Sequence, residues 1–162
     1  MVSVAVVGPA MSGKTHLCTM LAGLNCLPNS CYNETCSTSF LKADVNGVPW
    51  HIWDTPRYVS VGWPADHVAE QCDVIVVCHD GAKDSNPCAL ARELDTDKCI
   101  IALTRNPYAG INLAWAWDYY STTTSAGALV PVVASAEDAY SLIHCIQSRC
   151  APTVDSENVV EL

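Results

Sequence analysis

Charge is scarce in this chain. Only 15% of its 162 residues are charged, against about 25% in ordinary soluble domains. Basic residues are scarcest: 8 Lys and Arg stand against 17 Asp and Glu, a formal net charge of −9. Non-specific nucleic-acid binding and adhesion to anionic membranes both need positive potential, so the composition argues against both. No stretch reaches the roughly 18 uninterrupted apolar residues of a transmembrane helix. The first residues, MVSVAVVGPAMSGK, lack the basic region of a signal peptide, and none is expected. Internal repeats and low-complexity stretches are also missing. The ten cysteines form no C-x-x-C pair, and Cys18, Cys78 and Cys99 lie inside apolar patterns. The expectation is buried free thiols in a reducing compartment, hence a cytoplasmic location. None of the five histidines, His16, His51, His67, His79 and His144, stands at a ligand spacing from a cysteine, which argues against zinc.

What is present is a chain that is half hydrophobic, long enough for one domain with a sizeable core. Its apolar period alternates in type. Val2–Val7 is a continuous β-branched run, the pattern of a strand buried on both faces. Residues 15–24 then set Leu17, Met20, Leu21 and Leu24 at helical spacing, and 25–36 reads as a loop. Ser39–Val45 and Val48–Asp54 flank Asn46-Gly47, a hairpin dipeptide. After a loop over 55–66, strands are expected at 73–79, 99–104 and 129–134. Helices are expected near 89–94, at 112–122 and at 137–149, the last with Ser135 and Asp138 spaced as a capping box. Strands alternating with helices predict an α/β domain over 1–150: a mainly parallel six-stranded sheet, covered on both sides, with one antiparallel hairpin strand. Residues 151–162 read as a polar tail.

One segment carries chemistry. Gly8-Pro9-Ala10-Met11-Ser12-Gly13-Lys14-Thr15 fits G-x-x-x-x-G-K-[ST] in full, after a buried strand and before a helix. Glycines let successive N–H groups curl round a phosphate, and the helix N-terminus adds positive potential. Lys14 would reach the β- and γ-phosphates and the Thr15 hydroxyl would ligate Mg²⁺. The bland alternative is a Gly-rich turn that binds nothing. Asp54 ends a strand where an acidic side chain can join the Mg²⁺ shell; its alternative role is capping the turn before Pro56.

At these residues the chain resembles the Ras superfamily of small GTPases, most of all the Rab and Arf branches. GPAMSGKT resembles the first GTPase motif and Trp53-Asp54-Thr55 the start of the third. Ser135-Ala136 resembles the fifth, and the Asn-Gly hairpin stands where the family has one. The resemblance covers nearly the whole chain and implies a three-layer, Ras-like P-loop NTPase fold. It implies a switch protein that binds GTP or GDP with Mg²⁺. Nucleotide would meet Gly8, Met11, Ser12, Gly13, Lys14, Thr15, Arg105, Ser135 and Ala136. The metal would meet Thr15, Asp54 and a switch threonine, Thr35, with Thr38 as runner-up.

The departures are informative. Arg57 stands where the family has Gly, and Tyr58 where Ras and Rab have the water-orienting Gln. A phenol does not place a water as a planar amide does, so hydrolysis is expected to be weak or absent, with Lys14, Arg57 and Tyr58 as the candidate catalytic positions. Arg57 is either a solvated loop residue or an internal arginine finger. In place of the base-reading Asn-Lys-x-Asp stands Thr104-Arg105-Asn106-Pro107, without its carboxylate, which leaves Arg105 to stack on a base. Two alternatives follow: a pseudo-GTPase scaffold with a vestigial site, and a small nucleoside or nucleotide kinase. The kinase would need a basic lid, and Arg57, Arg92, Arg105 and Arg149 are the only arginines. Partners, effectors or regulators, are expected on the 55–66 loop, with Tyr58, Val59, Val61 and Trp63. A second expected surface is the 111–120 helix, whose aromatic residues fall on two opposite stripes, with a homodimer among the options. The C-terminal Val159-Val160-Glu161-Leu162 is no prenylation box and the N-terminus lacks Met-Gly, so no lipid anchor is expected.

Overall fold

The computed structural model describes residues 1–23, 38–55, 71–79, 98–104, 129–132 and 136–150, with 129–132 and 136–138 described by backbone alone. Strand β1 (Val2–Val7) is the β-branched run and is buried almost throughout. Helix α1 (Lys14–Leu21) follows. It is shorter than its apolar spacing predicts, because Gly23 takes a left-handed φ of 69° and donates to the Met20 carbonyl at 3.0 Å. That is how glycine closes a helix. Strands β2 (Ser39–Val45) and β3 (Val48–Asp54) form an antiparallel hairpin. Asn46 and Gly47, at φ 56° and 79°, supply the two left-handed residues of a type I′ turn. The Gly47 N–H donates to Asp44 Oδ1 at 2.8 Å.

Strands β4 (Val74–His79), β5 (Cys99–Thr104) and β6 (Leu129–Val132) precede helix α2 (Ala136–Cys150). The sheet runs in the order β2-β3-β1-β4-β5-β6, parallel except for β2. β4 starts at Val74 rather than Asp73, and Asp73 has a different task. Its Oδ2 accepts from both the N–H and the hydroxyl of Ser3, each at 2.8 Å. This bolts the starts of β1 and β4 together.

Both described helices lie on one face. Leu17, Cys18 and Leu21 of α1 and Leu142 and Ile146 of α2 share a core with Val4, Val6, Trp50, Ile52, Val74, Val76, Ile100 and Ala102. Ala5, Val7, Ile75, Val77, Ile101 and Leu103 on the other face are buried as well. The expected three-layer, Ras-like architecture is corrected here. Among the described residues there is one mixed sheet and only two helices, and these two share a single core. The expectation rested on helices at 89–94 and 112–122, which lie outside the described residues. Among the described residues no helix is long and apolar enough to cross a membrane.

The six described cysteines, Cys18, Cys72, Cys78, Cys99, Cys145 and Cys150, are all free thiols. One core feature was not visible in the sequence. Trp50 is fully buried and its indole Nε1 has no hydrogen-bond partner among the described residues; an unsatisfied buried donor costs about 1–3 kcal/mol.

Candidate phosphate-binding site

Strand β1 lies between β3 and β4, and the chain visits β3 on one side before crossing to β4 on the other. At the carboxyl end of such a strand the connections part in opposite directions, which opens a crevice where ligands bind in open α/β sheets. The segment 8–13 begins at that point. Gly8 passes so close to β4 that a Cβ on it would stand 2.6 Å from the Cys78 carbonyl oxygen, at a φ of +149°. Only glycine fits. Met11 and Gly13 take left-handed φ values of 59° and 84°, the conformations that curl successive N–H groups round an anion. Met11 projects outward and is 58% exposed. Gly13 caps α1, with its carbonyl accepting from the Leu17 N–H at 2.9 Å.

The loop is tied down from behind. Thr104, the last residue of β5, donates its hydroxyl to the Ser12 carbonyl and also lies 3.1 Å from the His79 carbonyl. One side chain thus links the loop to the ends of β4 and β5. The Ser12 hydroxyl is buried and has no hydrogen-bond partner among the described residues, close beside Gly8. Lys14 opens α1 but is buried, only 6% exposed. Its Nζ reaches back over the loop and donates to the Pro9 carbonyl at 2.7 Å.

Asp54 arrives from β3, in register with Val6. Its Oδ2 accepts the Thr15 hydroxyl at 2.6 Å. The next residue, Thr55, donates both its hydroxyl, at 2.8 Å, and its N–H, at 3.3 Å, to the Val6 carbonyl. That double bond to β1 fixes the direction in which β3 ends. Asp54 is 3% exposed, and its Oδ1 is buried without a partner among the described residues. Burial raises its carboxyl above the ordinary range, while the Thr15 hydrogen bond and the Lys14 charge pull the other way. Behind the loop lie two thiols. Burial pushes Cys78 up to about 12 and Cys18 well above its usual value, so both stay protonated.

The donor set fits a small hard cation. A buried carboxylate oxygen without a partner, beside a threonine hydroxyl, is oxygen chemistry of the kind Mg²⁺ selects. Among the described residues no group of three or more His, Cys, Asp or Glu could hold a metal ion. An ion at Asp54 would therefore take most of its oxygens from Thr15, phosphate and water, as Mg²⁺ does in phosphate sites.

The structure brings together Gly8, Met11, Ser12, Gly13, Lys14, Thr15 and Asp54. Thr35, Arg57, Tyr58, Arg105 and Ser135 lie outside the described residues, as do the surfaces at 56–66 and 111–120. Ala136 opens α2. Thr38, the runner-up for the switch threonine, is half-buried just before β2. The part of Thr104 is not evident from the sequence, where the residue stands only in place of the first position of a base-reading motif. A hydroxyl at the end of a buried strand was the available signal. No known family model matches the chain, and no curated protein matches it.

Proposed function

We propose that this chain binds the phosphate groups of a nucleoside di- or triphosphate, GTP or GDP by resemblance, together with Mg²⁺. It acts as a nucleotide-binding switch or interaction protein through protein partners, with hydrolysis weak or absent. The observation that carries the reading is the buried Thr15–Asp54 pair, joined at 2.6 Å and holding an unpartnered carboxylate oxygen beside a glycine-bounded loop and Lys14. A structural turn has no use for a buried carboxylate with an unused oxygen. A cation bridging to phosphate gives it one.

In this reading the 8–13 amides orient the phosphate chain, and Lys14 exchanges the Pro9 carbonyl for phosphate oxygens. Thr15 and Asp54 hold the metal, and bound Mg²⁺ offsets the charge of the phosphate oxygens. Thr35 is proposed to join the metal, and Arg105, Ser135 and Ala136 the nucleoside. By resemblance Arg57 and Tyr58 are the candidate catalytic positions, and a tyrosine lacks the amide that would place a water. Free, buried thiols support a reducing, cytoplasmic setting.

The test is calorimetric titration of wild type and Lys14→Met with Mg-GTP, Mg-GDP and Mg-ATP. Lys14→Met keeps the buried stem and removes the charge. Binding to wild type that falls at least about tenfold in the variant (some 1.4 kcal/mol) is expected. Absence of binding to wild type, or equal binding to both, overturns the reading.

A further inference from the structure

We infer that the β2 edge of the sheet is a self-association surface, on which a second copy of this chain pairs its own Ser39–Val45 strand, antiparallel, about a two-fold axis at Ala43. The inference is independent of the nucleotide reading. Among the described strands β2 is terminal and pairs only with β3. Val45 and Val48 face each other across the two-residue turn, and in a type I′ hairpin that closing pair exchanges both its hydrogen bonds. Backbone groups alternate along an antiparallel strand. Leu41, Ala43 and Val45 therefore bond to β3, while Phe40, Lys42 and Asp44 turn their N–H and C=O groups outward.

That alternation restricts how the strand can pair with itself. Outward residues must meet outward residues, so the two-fold axis passes through a residue rather than between two. Centring on Lys42 or Asp44 sets like charges face to face, which is destabilising. Centring on Leu41 leaves Asp44 opposite Thr38. Centring on Ala43 sets Lys42 against the partner's Asp44 and, by symmetry, Asp44 against the partner's Lys42. It also sets Leu41 against the partner's Val45, twice. Charge complementarity thus selects one register, and an isologous two-fold contact is the commonest way for a chain to pair with itself.

The side chains suit such a contact. Lys42 and Asp44 are exposed and Phe40 is 38% exposed. Phe40 sits on Trp53 and His51, with ring centroids 4.7 and 4.9 Å away, and the Lys42 ammonium lies 5.9 Å above its ring. Asp44 spends Oδ1 on the Gly47 N–H, leaving Oδ2 for the partner's lysine. Sheet edges are usually protected by charges that repel a second strand. Here the one lysine is matched by an aspartate two positions on, so self-pairing brings opposite charges together.

Sedimentation equilibrium on the full chain tests this. Wild type is expected to dimerise reversibly. Lys42→Glu and Asp44→Lys should each weaken the dimer about tenfold or more, because both symmetric pairs become repulsive. An equimolar mixture of the two variants should dimerise again, since the introduced carboxylate then faces the introduced ammonium. Circular dichroism checks that each variant folds. Should Asp44→Lys lose the hairpin along with its Gly47 bond, Asp44→Asn keeps the turn acceptor and should still weaken the dimer. A monomeric wild type, single variants that dimerise like wild type, or a mixture of folded variants that stays monomeric would each overturn the inference.

Discussion

The hydroxyl of Thr15 donates to Asp54 Oδ2 across 2.6 Å, joining the first turn of α1 to the last residue of β3 over 39 residues of chain. The bond holds a buried carboxylate in place while its other oxygen has no partner among the described residues. The pH dependence of the ligand-free protein follows. Asp54 has a raised carboxyl, so it holds its proton more tightly folded than unfolded. Its contribution to stability is complete below the unfolded value and is lost as pH rises through the folded one. Asp54→Asn removes that dependence. In thermal melts without Mg²⁺ the variant should gain on wild type as pH rises from acid to neutral. Adding Mg²⁺ and nucleotide at neutral pH should stabilise wild type and leave the variant unmoved. Parallel pH profiles for the two proteins would show that Asp54 is not the titrating group.

Thr104 should act on the loop without touching ligand. Thr104→Val keeps the shape and deletes the hydroxyl, leaving the Ser12 carbonyl without this donor, a loss of about 1–3 kcal/mol if the carbonyl stays buried. Amide exchange should rise over residues 8–13 and stay unchanged in β1. Thr104→Ser should restore protection. Uniform protection in the valine variant would mean that the loop is held by its own turns.

Gly8 and Gly47 make a matched pair of tests. Both have positive φ, yet a Cβ on Gly8 meets the Cys78 backbone at 2.6 Å while one on Gly47 meets nothing within 4 Å. Gly47→Ala should cost about 1–2 kcal/mol of left-handed strain. Gly8→Ala adds a steric overlap with backbone that does not yield, for a total of about 3 kcal/mol or more. Chemical denaturation gives both values, and equal costs would place the burden on φ alone.

The strands were legible because β-branched runs such as Val2–Val7 and Val74–Val77, together with the Asn46-Gly47 turn, determine local conformation by short-range sterics. The loop was legible as a contiguous motif. Layering was not, because which face a helix covers depends on contacts distant in sequence, and the two stripes of 111–120 name no face. That the Ser12 hydroxyl and the Trp50 indole are buried without a partner among the described residues was equally hidden. Whether a buried Oγ or Nε1 finds an acceptor is decided by non-local geometry that no residue spacing encodes. Thr104 joins both lessons: its strand was evident, whereas its bond to Ser12, 92 residues earlier, was not.

That separation also orders events during synthesis. The 8–15 segment leaves the ribosome before the residues that tie it, and β1 needs Asp73 to anchor its start, 70 residues after Ser3. Asp54 must arrive for Thr15, and Thr104 must arrive for Ser12. Long-range pairings of this kind form slowly and late. A nascent chain that has not yet released β5 therefore carries the complete motif in a loop without its latch. The shape of the loop is thus a property of the assembled sheet and not of the motif alone.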